Sequence, residues 1–504
     1  MESSWLKIGL LALCCVCAVG FGCDRDDDDD AADDDDGDDD DADDDGDDDT
    51  TGDDDDIGDD DADDDAPPDD FWAPEPSDDV GVFVSTTGSD DNPGTMAAPK
   101  RTVAAAIALA EAEDKDVFVA AGAYAQTLTV ASASLFGGYQ PGTWTRDIDT
   151  YVTTLAPAGS PAVTVAAATS DRIVVEGFTI DAGVVVNHSR GVFVDIADAV
   201  VLSRNNIYTA DVFGFASSAS TIAVDTAICN NLLVEKCHIV TGKADADFIA
   251  LAWNEGIAMT WDTGALTVRD SVIVLGEGES FDLTAAVDAR GTSLTLVNNV
   301  IAATDKDWGT GVEVWFETRS ILLVGNLISG FANGVDIYPY PGATDDDRRL
   351  IGNTIVGRPT HNLSLFGVRF NQGTMIDNVI VGFKTSLDCS GGNQSDTLRL
   401  LHNNFARWPQ DESLLDLGDL TIVDIDEVNE CGWNRCLEAS GNISADPQFV
   451  SLNDPHLSAT SPCRDAGLDP SPWFAGPEID RDIDGDPRPA GAAWDIGADE
   501  YAAD

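Results

Sequence analysis

The chain has 504 residues, 94 of them acidic against 26 basic, and a formal net charge of −68. That length suits one large solenoid or about three ordinary domains. A chain so poor in lysine and arginine excludes nucleic acid and anionic membrane as electrostatic partners.

Residues 1–22 read as an export signal: Lys7 provides a weak positive start, and Ile8 to Phe21 form an apolar run too short to span a bilayer with ease. Four cysteines fall here, and only Cys23 follows a small residue, Gly22. Gly20-Phe21-Gly22-Cys23 resembles a bacterial lipobox, departing from it at Gly20, where Leu or Val is usual. The resemblance implies lipid attachment at Cys23, with an ordinary cleaved signal as the alternative. It also implies an exported, membrane-anchored lipoprotein, periplasmic or on the cell surface, whose membrane partner is reached through the N-terminal lipid.

Residues 23–78 read as a disordered Asp/Pro-rich tether. Between Asp24 and Asp70 stand 32 aspartates and a single basic residue, Arg25. Such a segment has almost nothing apolar to bury, and its charges repel. It would extend to at most ~160 Å.

Residues 79–150 read as an N-terminal cap with the first coils of a solenoid. Val82-Phe83-Val84 is a short strand, and Ser85 to Pro99 is a Gly/Asp/Asn/Pro loop. Thr102 caps a helix from Val103 to about Glu113 with Val103, Ile107 and Ala110 on one face. Asp116 to Ala120 is the next strand. This order suits a lid over the open end of a solenoid, which would otherwise expose core and strand edges.

Residues 151–425 carry an internal repeat. Gly325-Asn326-Leu327-Ile328, Gly352-Asn353-Thr354-Ile355 and Asp377-Asn378-Val379-Ile380 share one pattern with Asn298-Asn299-Val300-Ile301 and His402-Asn403-Asn404-Phe405. Upstream, Phe178, Asn205, Cys237 and Ser271 fit the same slot. The slots recur at intervals of 27, 32, 34, 28, 27, 27, 25 and 25 residues. Each interval is too short for a compact domain and holds two or three β-branched runs broken by Gly, Asn or Asp. Three short strands and three turns need about this many residues, and stacked coils ~4.8 Å apart would place equivalent slots above one another. Asn299, Asn326, Asn353, Asn378 and Asn403 would then form a structural ladder of side-chain amides.

Residues 426–504 read as a C-terminal capping region. Six cysteines follow the signal: Cys229, Cys237, Cys389, Cys431, Cys436 and Cys463. An even count in an exported chain permits disulfides, and Cys431 with Cys436, flanking a four-residue loop, is the best pair. The spacing of Asp480, Asp482 and Asp484 before Gly485 matches the start of a Ca²⁺ loop, yet Gly491 stands where an EF-hand needs its bidentate Glu. Those three aspartates are thus weak Ca²⁺ candidates, with a tight acidic turn as the competing reading. No other cofactor is implied.

The repeats resemble those of the pectin-lyase-like superfamily of right-handed parallel β-helices. The segment Val117-Phe118-Val119-Ala120-Ala121-Gly122 resembles part of its N-terminal module. Ala445-Asp446-Pro447-Gln448-Phe449, Ser461-Pro462-Cys463-Arg464-Asp465-Ala466-Gly467 and Asp495-Ile496-Gly497-Ala498-Asp499-Glu500 resemble a choice-of-anchor Q tail. The resemblance spans about residues 79–501 and implies an all-β, right-handed parallel β-helix with an N-terminal capping helix. It does not specify activity, because that fold hosts lyases, hydrolases, adhesins and inert surface proteins.

The strand about 14 residues before each slot is where chemistry could sit. Alternation sends Val287, Val312, Val314, Val335 and Ile337 inward, and Ala286, Asp288, Glu313, Trp315, Asp336 and Tyr338 outward. Arg290, Glu317, Arg319 and Arg369 lie nearby. Carboxylates beside rings suit a polysaccharide, with Trp315, Tyr338, Arg290 and Arg369 as glycan-binding candidates. Asp288, Glu313 and Asp336 are weak catalytic candidates, since paired carboxylates can cleave glycosidic bonds. Carboxylates holding Ca²⁺ with an Arg base would instead suit lyase chemistry, but no active-site motif of that superfamily matches residue by residue. The competing expectation is a merely solvated polar face. The sequence therefore points to a surface-anchored β-helix that is structural or binds extracellular polysaccharide, with a polysaccharide lyase or glycoside hydrolase as the alternative. It does not fix the oligomeric state.

Overall fold

The computed structural model describes residues 72–502 apart from 167–171, 215–217, 247–251, 260–263, 277–283, 304–308, 317, 341–346, 358–364, 392–395, 407–412 and 452–453. The expected export signal, Cys23 and nearly all of the segment expected to be an acidic tether lie outside the described residues.

The protein is a parallel β-helix, and a right-handed coil is the sense that parallel crossovers take. Each regular coil supplies three short strands. Thr310–Val314, Ser320–Val324 and Leu327–Ser329 are the first, second and third strands of one coil. They pair in parallel with Asn333–Ile337, Arg348–Ile351 and Thr354–Val356 of the next. In two upstream coils the first and second strands fuse without a turn, giving His188–Ser203 and Ala219–Glu235.

Alternation along the first strand builds one side of the core. Val163, Val192, Val224, Ile257, Val287, Val312, Val335, Val368, Leu387 and Leu415 stand in register over ten coils, and all ten are fully buried. A second apolar column faces them from the third strands, running from Ile180 through Ile207, Ile239, Ile273, Ile301, Ile328 and Ile355 to Ile380. Burying each such side chain contributes roughly 1.5–3 kcal/mol. Where the first strand passes closest to the third, a small residue is needed. A Cβ on Gly311 would lie 2.5 Å from Ile328 Cγ2, and one on Gly367 only 2.2 Å from Ile380 Cγ2. Ala286 occupies the same kind of position. It is fully buried in the core, not outward as alternation alone predicts. The strict two-residue period is interrupted there: the register pairs Ala285 with Thr310 and Val287 with Val312, with no partner given for Ala286.

At the turn between second and third strands, side-chain amides stack along the axis. Asn299 Nδ2 donates to Asn326 Oδ1 at 2.9 Å, and the bond repeats at 2.9 Å from Asn326 to Asn353, Asn353 to Asn378 and Asn378 to Asn403. Each Nδ2 also donates to a backbone carbonyl one coil back, such as Asn326 to Leu296 at 2.8 Å. The slot continues beyond the sequence repeat: Asn403 donates to Asn442, and Asn442 to Asn429.

The N-terminal end is closed by the helix Val103–Glu113, whose Thr102 hydroxyl accepts from Ala105 N and whose Val103, Ala106, Ile107 and Ala110 are buried. At the other end, Cys436–Ser440 adds the last second-strand rung, and Cys431 is bonded to Cys436. Cys237, Cys389 and Cys463 are buried thiols. The tail then returns along the flank. Ile479 packs on Val324 and Ile351, and Ile496 lies with Val356, Val379 and Val381.

Candidate functional site: an acidic column beside an arginine–aromatic stack

One position after the inward valines, the first strands present an outward column: Asp225, Ala258, Asp288, Glu313, Asp336, Arg369, Asp388 and Asp416 on successive coils. Parallel pairing spaces neighbouring members about 4.8 Å apart at the backbone. Asp288, Glu313 and Asp336 therefore sit on three adjacent rungs, with the outer two roughly 10 Å apart at the backbone.

Like charges stacked this closely need counter-charges. Arg290 Nη2 lies 3.0 Å from Asp288 Oδ2. Arg369 bridges two rungs, with Nη1 at 2.9 Å from Asp336 and Nε at 3.1 Å from Asp388. Arg190 lies 3.1 Å from Asp225. The column is not a solvated face: Asp288 is 3% and Asp336 5% exposed.

Glu313 differs from its neighbours. It is half-buried, and no hydrogen bond or ion pair is made to it among the described residues. Burial, followed by the carboxylates of Asp288 and Asp336, pushes its acid up to about 7, against the opposing arginines. Burial raises Asp336 to about 6 despite Arg369. Glu255, two positions before the inward column, is almost fully enclosed. Burial and then Asp288 and Asp225 hold its carboxyl far above the usual range. Two neutral-prone acids thus stand beside two ion-paired aspartates.

The aromatic candidates adjoin the column on the same strands. Trp315 stacks on Tyr338 with centroids 5.1 Å apart and planes 11° from parallel. The Arg290 guanidinium lies 4.3 Å from the Trp315 centroid. As glycan-binding candidates, these rings would need an open face on which a sugar could stack. In the structure the Trp315 ring is instead stacked with a neighbour of its own on each of two sides, because parallel rungs bring Arg290, Trp315 and Tyr338 into one pile. What Trp315 retains is its edge: its Nε1 is buried and has no hydrogen-bond partner among the described residues. Arg369 packs over Phe366 at 4.2 Å.

Other candidates do not join this site. Arg319 is turned to Asp347 at 3.7 Å, and Glu317 lies outside the described residues. Asp480, Asp482 and Asp484 do not converge on a common point. Asp482 is consumed by backbone amides, accepting from Asp484, Asp486 and Glu500. Asp484 lies 2.8 Å from His456 Nε2. This is a tight acidic turn. The group with metal-ligand proximity is His456, Asp484 and Asp499, whose ligand atoms lie within 4.8 Å of one another.

Asp225, Glu255, Asp388, Arg190 and Phe366 were not singled out from sequence. Asp225 lies inside a 17-residue strand where no turn marks the register. Asp388 was readable by extending the column one coil past Arg369.

Residues 86–260 match a family described as a protein of unknown function, DUF1565. No curated protein matches the chain. Among solved structures the chain is similar to a pectate lyase, Pel9A, at 12% identity and a TM-score of 0.34 over 84% of this chain and 96% of that one.

Proposed function

We propose that this is a surface-tethered β-helix that binds extracellular polysaccharide along the acidic column without cleaving it. Glu313 carries the reading. A half-buried carboxyl with no partner among the described residues, framed by satisfied neighbours, is an acceptor waiting for a hydroxyl. Trp315 Nε1 beside it is a donor waiting for an oxygen. Buried polar groups are ordinarily paired, so two left open on one face suggest a hydroxyl-rich partner. The surrounding carboxylates disfavour anionic glycans, so the partner is a neutral chain. The Asp-rich segment and Cys23 would hold the body away from a membrane.

The test is a glycan array probed with residues 72–504 at fixed Ca²⁺, followed by titration of any hit with Glu313→Gln and Trp315→Phe. Both variants should weaken binding by about tenfold, with no new reducing ends. Unchanged affinity in both removes the basis for this face. A second reading, glycosidic cleavage, is favoured by the placement of Glu313 between Asp288 and Asp336 on adjacent rungs, where burial and those two carboxylates push its acid up to about 7, the range that suits a general acid. An ion-paired aspartate one or two rungs away would be the base or nucleophile. Reducing ends that appear with wild type and vanish with Glu313→Gln would establish it in place of simple binding.

A further inference from the structure

We propose that Phe316 carries a second sugar subsite, its ring being the platform on which the unit next to the one at Glu313 stacks. The inference rests on the reading of the first-strand face as a polysaccharide site. It adds what Trp315 cannot supply there, an open aromatic face against which the C–H side of a sugar ring is buried.

The backbone fixes where this ring stands. Phe316 lies just past the strand Thr310–Val314. Trp315 N donates to Ala289 O at 3.0 Å, and Thr318 N donates back to Trp315 O at 3.0 Å. The Thr318 hydroxyl donates to the same Ala289 carbonyl at 3.4 Å, and Thr318 is fully buried. The chain therefore reverses at an anchored corner with Phe316 thrown outward, 52% exposed. Among the described residues Phe213 is the one other aromatic ring as exposed, and it lies in Val212–Gly214, outside the first strands. An exposed ring alone signifies little. Phe316 differs in its neighbours: Glu313 and Trp315 Nε1 stand beside it, both without a hydrogen-bond partner among the described residues.

Ring geometry sets the division of labour. The Phe316 centroid lies 6.3 Å from that of Trp315, with the planes 73° apart. Arg290 and Tyr338 already occupy the faces of Trp315, so Phe316 meets the indole at its edge and keeps its outer face in water. A pyranose on that outer face buries its C–H side, while the next unit of the same chain meets the acceptor at Glu313 and the donor at Trp315. A free monosaccharide can use one of these positions and a chain can use both. Stacking needs no charge on the ligand, which suits a neutral chain on a face already crowded with carboxylates.

Cellotetraose, xylotetraose and mannotetraose, titrated by calorimetry against the full chain, supply the probe, and the tightest binder is carried forward. Phe316→Ala should weaken it about tenfold, Phe316→Trp should restore it, and Phe213→Ala should leave it unchanged. The thermal midpoint of Phe316→Ala should match that of the wild type, because the ring is half in water. Glu313→Gln separates this subsite from the reading beneath it. Binding that falls with Glu313→Gln but not with Phe316→Ala overturns the Phe316 subsite alone. Binding of no tetrasaccharide, or binding indifferent to both substitutions, overturns the two together. A Phe316→Ala loss that tryptophan fails to restore, or that comes with a lowered midpoint, gives the ring a structural role and overturns the subsite as well.

Discussion

Replacing Asn326 by alanine tests the amide ladder at its centre. The side chain makes four bonds. Nδ2 donates to Leu296 O at 2.8 Å and to Asn353 Oδ1 at 2.9 Å. Oδ1 accepts from Asn299 N at 3.0 Å and from Asn299 Nδ2 at 2.9 Å. After truncation, Asn299 Nδ2 keeps Val268 O, and Asn353 Oδ1 keeps Asn326 N. The Asn299 amide is stranded in a fully buried turn, while the Leu296 carbonyl, on the strand Ser293–Val297 that pairs with Ser320–Val324, loses only its bond to the side-chain amide. The orphan costs about 1–3 kcal/mol, and a small void adds to it. The expected loss is therefore about 2–4 kcal/mol, read from urea unfolding of residues 72–504. Asn326→Ser should recover part of it. Ser271 fills the slot two coils earlier, where its hydroxyl accepts from Cys237 N at 3.1 Å and donates to Arg269 O at 2.9 Å. Hydrogen exchange at Asn299 N should accelerate in the alanine variant. A loss below about 1 kcal/mol with Asn299 still protected would refute the idea that the ladder holds the turns.

Three further outcomes follow from the column and the cap. Glu313 has a folded-state pKa raised to about 7 from 4.5, so the folded state holds its proton longer than the unfolded chain. Its contribution to stability should therefore fall as pH rises from 4.5 to 7. Glu313→Gln should flatten that decline, by on the order of 1 kcal/mol after discounting for solvent screening, in unfolding midpoints compared at pH 5 and pH 8. Arg369→Met removes the charge shared by Asp336 and Asp388 and should cost about 2–4 kcal/mol. Arg369→Lys should restore only part, because an ammonium lacks the fork that reaches both rungs; full rescue by lysine in the same assay would contradict the bridging geometry. Reducing the Cys431–Cys436 bond, which spans a sequence separation of 5, should cost no more than about 2 kcal/mol by loop entropy. Exchange should speed up first around Cys436–Ser440 and the end of the ladder.

The coil was readable because its determinants are local and periodic. Asn326, Asn353 and Asn378 recur at 27 and 25 residues, and β-branched runs between them leave little choice but stacked strands. The helix Val103–Glu113 was readable from its Thr102 cap. The site was less so. Strand alternation places Asp288, Glu313 and Asp336 on one face, but ion pairing depends on side chains from other rungs. Arg369 reaches Asp336 over 33 residues of sequence. Glu255 escaped notice because its neighbours are set by the break in period at the small-residue column, the same break that turned Ala286 inward. The tail reads as an end cap by position; its return along the flank depends on contacts such as Ala498 N to Thr354 Oγ1 across 144 residues, which no local pattern encodes.

The amide ladder also bears on how such a chain can grow. Every internal rung receives two bonds from the rung behind it and passes the same two forward, so a duplicated coil inserted between Asn326 and Asn353 would meet identical partners on either side. The body can lengthen in steps of about 4.8 Å without a new solution to any turn. Asn429 is different: it comes from the short helix Ile425–Asn429 rather than from a coil, and it closes the series by bonding Asn442 at 2.9 Å. A duplicated coil would therefore leave the ladder unbroken, and its cost would fall on the returning tail, where Ile479 packs across Val324 and Ile351 and Ala498 reaches Thr354.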